Sequence, residues 1–81
     1  MSEQTKIGTG KIYGKILYET SRLVYVMVEV STQIMVSMII DKQEKAVIGA
    51  GTSRRETFQK ARDHATNNRK LLEEIEELDL E

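Results

Sequence analysis

Four short apolar segments separated by polar breaks constrain the fold of this chain more than any other feature of its sequence. The segments are rich in β-branched and aromatic residues, which favour strands, and they cover residues 10–19, 22–30, 34–41 and 45–51. The breaks read ETS, STQ and KQE, which is the length of hairpin loops. Because such loops join antiparallel neighbours, the sequence predicts an antiparallel β-meander of three to four strands.

The spacing of the apolar residues changes after Gly51 and predicts a long C-terminal helix. Ser53 and Glu56 have the spacing of a capping box, which marks the start of a helix. One helical stripe then recurs at steps of three and four residues: Phe58, Ala61, Ala65, Asn68, Leu72, Ile75 and Leu78. A helix of about 26 residues would be about 39 Å long, and a strand of eight residues spans about 27 Å. We therefore expect the acidic end of the helix to overhang the sheet, and the weak helix-forming stretch at 66–70 is where the helix could bend or split.

The predicted architecture is a single α+β domain over residues 1–81, in which the helix packs on one face of the sheet. Alternation along the strands assigns the aliphatic floor under the helix to Ile12, Ile16, Tyr18, Val24, Val26, Val28, Val30, Ile34, Val36, Met38 and Ile40. It assigns the outer face to Tyr13, Leu17, Tyr25, Met27, Met35 and Ile39. Six large apolar residues on an outer face predict a homo-oligomer or partner interface, unless the N-terminal segment hides part of that face.

The composition argues against an enzyme. There is no cysteine, which excludes disulfides, thiolate metal sites and cysteine nucleophiles. The only histidine, His64, falls within the predicted helix, and the carboxylates of residues 73–78 lie at a helix end. Neither forms a preorganised acid–base pair or metal site, so no catalytic residue, metal or cofactor is predicted. No apolar run approaches the roughly 18 residues of a membrane span, and we expect a cytoplasmic protein without a membrane partner.

Charge is distributed unevenly along the chain. Residues 1–70 contain all 12 lysines and arginines against 7 acidic residues, a net charge of +5. Residues 71–81 contain 6 acidic residues and no basic one, a net charge of −6. A basic body with an acidic C-terminal helix end or tail indicates a polyanionic partner, a tail that masks the basic surface, or both. Two differently solvated surfaces would produce the same pattern.

Two arginines at the predicted helix start are the most specific candidates for binding. Cations there oppose the helix dipole by a few tenths to about 1 kcal/mol each, whereas the unpaired amides of a helix start attract anions. Lys60 and Arg62 follow Arg54 and Arg55 within two turns, so the four cations form either a compact phosphate-binding patch or a solvated helix face. Lys11 and Lys15 of the first strand are supplementary candidates.

The stretch 47–65, VIGAGTSRRETFQKARDHA, resembles the last strand and helix of double-stranded-RNA-binding domains. In that family a strand ends in Gly-x-Gly, and a Ser or Thr, two basic residues and a helix with spaced alanines follow. The matching positions here are Gly49, Gly51, Ser53, Arg54, Arg55, Ala61 and Ala65. The resemblance implies that the two arginines contact duplex phosphates and that three antiparallel strands precede the helix.

The resemblance covers about a quarter of the chain and departs from the family elsewhere. The family opens with a helix, whereas residues 6–19 have the pattern of a strand, and its third basic position falls on Phe58. The resemblance therefore implies a related fold more strongly than duplex recognition. Two functions are predicted: a small nucleic-acid-binding protein, with RNA favoured over DNA, or alternatively a homo-oligomeric protein-interaction or assembly module of the viral or plasmid regulator type.

Overall fold

The computed structural model describes residues 5–6, 13–31 and 33–80. Within them, five strands form one antiparallel sheet in chain order: β1 Thr5–Lys6, β2 Tyr13–Glu19, β3 Leu23–Ser31, β4 Ile34–Asp41 and β5 Ala46–Gly51. Two helices follow, α1 Arg54–His64 and α2 Arg69–Asp79. The predicted α+β class and the antiparallel meander are confirmed. Neither described helix combines the length and apolar character needed to cross a bilayer.

The predicted long helix is two helices that fold back on each other. Helix α1 ends at His64, and the Asn68 side chain starts α2 by accepting a hydrogen bond from the Leu71 amide at 3.1 Å. The returning helix brings Asp79 beside Arg54 at the start of α1. The acidic segment therefore does not overhang the sheet, because Leu71, Ile75 and Leu78 bury their side chains in the core.

The sheet projects past the helices instead. Eleven residues of helix measure about 16 Å, whereas the nine residues of β3 extend about 30 Å. The part of the sheet beyond the helices is the β3–β4 hairpin end, where Val30, Ile34 and Met35 are 43–56% exposed.

The helices cover the face of the sheet opposite to the one that the sequence predicts. Tyr25 and Ile39 belong to the core beneath the helices, and Leu17 packs against that core. Val24, Val26 and Val28 lie on the other face and form a separate cluster with Met38 and Ile40. The proposed interface of Tyr13, Leu17, Tyr25, Met27, Met35 and Ile39 is therefore wrong as an outer face; the side chain of Tyr13 lies outside the described residues.

Two features of the sequence hide the true orientation. Residues 23–28 of β3 are apolar at every position, so alternation does not select a face. In β2 the register shifts between Ile16 and Tyr18, which places Ile16 opposite Val26 and Tyr18 opposite Tyr25. A strict alternation would keep Ile16 and Tyr18 on one face, and the bulge separates them.

The core beneath the helices is centred on one aromatic pair. Phe58 of α1 packs edge-on against Tyr25 of β3, with ring centroids 5.1 Å apart. Leu23, Ile39 and Ile48 of the sheet complete the floor of this core. These large side chains fill the space between the sheet and the two helices.

A close approach of α1 to β5 selects this face. A Cβ on Gly49 would lie 2.5 Å from the Thr57 carbonyl oxygen and 2.9 Å from the Ala61 nitrogen, so only glycine lets the helix backbone come this near. Beside it the Ser37 and Thr57 hydroxyls, both buried, lie 2.5 Å apart and share a hydrogen bond. Ser37 on the covered face is thus satisfied by the helix rather than exposed to solvent.

A buried ion pair anchors the other end of the sheet. The Asp41 carboxylate is 1% exposed; it accepts hydrogen bonds from Arg22 at 2.8–3.2 Å and from the Gln43 amide at 3.0 Å. Burial raises the pKa of Asp41, but the hydrogen bonds from Arg22 and from the backbone amides outweigh it and hold the pKa below the ordinary value. Asp41 thereby fixes the β2–β3 and β4–β5 turns to each other.

We predict that Gly49→Ala destabilises the protein by about 2–3 kcal/mol, because the new methyl group would push the α1 backbone off the sheet. Gly51→Ala is the matched control: the three atoms nearest to its Cβ, at 2.5–2.9 Å, all belong to the flexible Glu56 side chain, which can move aside, so this change should cost below about 1 kcal/mol. Urea denaturation of both variants measures the difference. Equal losses of unfolding free energy would contradict the role assigned to Gly49.

Candidate interaction surfaces

Arg54, the first residue of α1, lies over a group of aromatic rings. Its guanidinium carbon is 5.0 Å from the Phe58 ring centroid and 5.7 Å from the centroids of Tyr18 and Tyr25. On its other side it donates to the Asp79 carboxylate at 3.1–3.3 Å and to the Asp79 carbonyl at 2.9 Å. Arg54 thus connects β2, β3, α1 and the end of α2.

Arg62, two turns further along α1, makes the second contact with α2. It donates to Glu76 at 2.8 Å and to Asp79 at 2.6 Å. The hydrogen bond with Glu76 raises the pKa of the Arg62 guanidinium above its ordinary value, although burial opposes this. We call this group of four residues, Arg54, Arg62, Glu76 and Asp79, the arginine clasp.

Because of the arginine clasp, the acidic segment and the basic part of the chain are not two separate charged regions. Glu76 and Asp79 of the acidic segment pair with Arg54 and Arg62 of α1, so part of each charge block is neutralised where the two helices meet. The apolar residues of the acidic segment, Leu71, Ile75 and Leu78, are at most 3% exposed, and exposing each would cost roughly 1.5–3 kcal/mol. The segment is therefore part of the core and not a detachable tail.

The other predicted cations lie in different places. Arg55 is exposed and makes no hydrogen bond or ion pair with the described residues, while Lys60 lies 3.9 Å from Glu56 on the exposed side of α1. Lys15 is exposed on β2, where it pairs across the sheet with Met27, and no described contact brings it to α1. Lys11 lies outside the described residues. The structure therefore does not gather the six predicted cations into one patch.

The face of the sheet away from the helices, which we call the outer sheet face, is nearly all aliphatic. Its cross-strand rows are Ile16–Val26–Met38–Ala50, Val24–Ile40–Val47 and Val28–Val36, with Ile34 at the hairpin end. Within the described part of the sheet, the charged residue next to these rows is Glu19. It lies opposite Val24 at a corner of the outer sheet face and forms an ion pair with Lys42. Ile16, Ile34 and Val47 are 41–52% exposed on this side of the sheet.

Sequence reasoning missed the acidic partners of the arginines. Asp79 and Glu76 are separated from Arg54 and Arg62 by the turn at 65–68, so no local spacing pairs them. A signal was present in the sequence, since Leu71, Ile75 and Leu78 have the spacing of a buried helix face, which must pack against another element. The predicted stripe contained Leu72 in place of Leu71, and Leu72 is only partly buried. His64 is exposed, and no group of three metal-ligating side chains occurs among the residues the structure describes.

Comparison with known proteins adds no relative: no family model, curated protein or solved structure matches this chain. The resemblance of residues 47–65 to double-stranded-RNA-binding domains therefore stays a prediction.

We predict that Arg54→Ala lowers the free energy of unfolding by about 1–2 kcal/mol, because it removes the contacts with three rings and the partly exposed ion pair with Asp79. Arg55→Ala, which removes the same charge one residue away, should change stability by no more than about 0.5 kcal/mol. Thermal and urea unfolding of the two variants provide the measurement. An Arg54→Ala variant as stable as the parent protein would show that the contacts of Arg54 do not stabilise the fold.

Proposed function

We propose that this chain is a non-enzymatic homo-oligomeric assembly module that binds a second copy of itself through the outer sheet face. The supporting observation is the aliphatic character of that face, which neither α1 nor α2 covers. Ile16, Ile34 and Val47 are 41–52% exposed there, around a centre in which Val24, Val26 and Val28 are at most 7% exposed. The function is the assembly alternative predicted from the sequence, now carried by a different set of residues because the helices occupy the other face.

The exposure pattern favours docking over a solvated face. Ile34 and Val47 are each about half exposed, at 51% and 52%, and lie near opposite ends of the same face. The partly exposed Val36, Met38 and Ile40 of β4 connect them. Scattered exposed aliphatic residues are ordinary, but a contiguous apolar patch on a monomer marks an interaction site. A face without internal charges has nothing to pair with a charged partner, so an equally aliphatic surface fits it best, and a second copy supplies one.

The dimensions of the outer sheet face determine how strong an association between two copies we expect. Strands β2–β5 span about 19 Å at the usual strand spacing, and their common length is about 24 Å, so the face measures roughly 450 Å². Because Val24, Val26 and Val28 are already at most 7% exposed, a symmetric pair would bury less than twice this area, below about 900 Å² in total, compared with about 1,600 Å² for a standard interface. We therefore expect a weak dimer, packed sheet to sheet about a two-fold axis, that dissociates on dilution.

The expected result is that a double variant, Ile34→Lys with Val47→Lys, remains folded and becomes monomeric, because lysine tolerates the exposed positions but carries charge into the interface. Sedimentation velocity from micromolar to near-millimolar protein measures the association. Met35→Lys is the matched control: Met35 is 43% exposed but pairs with Glu29 on the opposite face, so its association should equal that of the parent protein.

Two outcomes would contradict the proposal. One is a parent protein that stays monomeric throughout the concentration range. The other is an equal loss of association in the Met35→Lys control, which would assign the contact to the helix-bearing face or to the hairpin end.

A second candidate function is binding of nucleic acid, RNA in preference to DNA, through phosphate contacts. The supporting observation is that Arg55 and Lys60 both lie on the exposed side of α1. Arg54 and Arg62 are held in the arginine clasp, so this proposal rests on fewer cations than the sequence predicted. Electrostatic binding of this kind weakens steeply as salt rises.

The test is filter binding to duplex RNA, single strands and duplex DNA at two salt concentrations. Arg55→Ala should weaken binding across all sequences and lower the salt slope by about one unit, as expected for one lost phosphate contact. Gln59→Ala, which changes an exposed neutral side chain of the same helix, is the control. Undetectable binding of every nucleic acid at low ionic strength would refute this candidate.

A further inference from the structure

A cleft opens at the end of the sheet that carries the β2–β3 and β4–β5 turns. Its volume is about 510 Å³, and it is lined by Ser21, Arg22, Lys42, Gln43, Lys70 and Glu74. Three of these side chains are cations, and they come from three segments that are distant in the sequence. Glu74 supplies a negative charge, and Arg22 and Lys42 are paired with Asp41 and Glu19, so Lys70 is the lining cation that no described acid neutralises.

Each cation is held differently. Arg22 uses its Nε and Nη2 groups on the buried Asp41, which leaves Nη1 without a hydrogen bond to a described residue. Lys42 donates to Glu19 at 2.5 Å and to the Thr20 carbonyl at 2.9 Å. Lys70 is exposed and makes no hydrogen bond or ion pair within the described part of the chain. An anion in the cleft therefore has free donors on Arg22 and Lys70.

The first turn of α2 adds to the positive potential of the cleft. It contains Arg69 and Lys70 and no acidic residue, so nothing in that turn neutralises the positive end of the helix dipole. Helix α1 also begins with a capping residue and two cations, but its first turn contains Glu56, which accepts from the Thr52 amide at 2.9 Å. Of these two similar helix starts, the one at α2 borders the cleft.

We propose that this cleft binds a phosphate group, held by Lys70, the free edge of Arg22, and the polar side chains of Ser21 and Gln43. A phosphate offers several acceptor oxygens, which matches a set of converging donors from separate segments. Glu74 faces the same space and accepts a hydrogen bond from the Thr20 hydroxyl at 3.2 Å, so its charge limits the affinity. The phosphate is either a monoester or the diester backbone of a nucleic acid, and the two are distinguished by experiment.

The experiment is a proton–nitrogen correlation NMR titration of the full chain at constant ionic strength. The probes are inorganic phosphate, adenosine monophosphate and a short single-stranded RNA. We expect saturable shifts at the amides of Ser21, Gln43 and Lys70 with each probe. Lys70→Ala should weaken binding about tenfold, the effect of one charge-assisted hydrogen bond.

Two further variants make the test specific. Arg69→Ala removes the same charge from the neighbouring residue, which does not line this cleft, and should change affinity less than about twofold. Glu74→Gln keeps an oxygen for Thr20 and removes the repulsion, so it should tighten binding about threefold. The same spectra report whether each variant is folded.

The outcomes separate the sources of phosphate. Equal or tighter binding of adenosine monophosphate than of RNA identifies a phosphomonoester site, whereas tighter binding of RNA that is weakened by Lys70→Ala identifies contact with a phosphodiester backbone. The absence of saturable shifts with all three probes, or an equal effect of Arg69→Ala and Lys70→Ala, would overturn the proposal.

Discussion

The contact between α1 and β5 at Gly49 is the constraint on which the rest of the structure depends. Because residue 49 has no Cβ, the α1 backbone can lie 2.5–2.9 Å from the position that a Cβ would take, and this close approach brings Phe58 onto Tyr25. The same approach places Thr57 against Ser37 and satisfies both buried hydroxyls. Once this face is covered, the valine-rich face of β3 is left on the other side. The location of the outer sheet face is thus a consequence of one glycine.

The arginine clasp shows how charge and packing act together in a small domain. Each ion pair in it is partly exposed and contributes little alone, since solvent screens it. Arg54 contributes more because its guanidinium also lies over three rings, which lets one side chain join the sheet to both helices. Burial of Leu71, Ile75 and Leu78 supplies most of the energy that holds α2 in place, and the clasp fixes where its end lies.

Two of the proposed surfaces, the outer sheet face and the cleft, lie in different parts of the molecule and use different physical interactions. The outer sheet face relies on burial of apolar area, which charge screening by a simple salt such as NaCl weakens little. The cleft beside the start of α2 relies on converging cations, whose attraction falls as ionic strength rises. Assembly and phosphate binding can therefore be measured independently in one protein, because changing the salt concentration affects mainly the second.

The sequence by itself determined the element types, the antiparallel order and the capped start of the first helix, because these follow from local patterns: β-branched segments, three-residue breaks and the pair Ser53 and Glu56. It also marked 66–70 as a weak point in the helix. Only the tertiary structure decided which sheet face is covered, because residues 23–28 are apolar throughout and a bulge in β2 reverses the alternation. The roles of the arginines were likewise decided in three dimensions. Asp79 reaches Arg54 only after the chain reverses at 65–68, and a contact across 25 positions leaves no trace in local spacing.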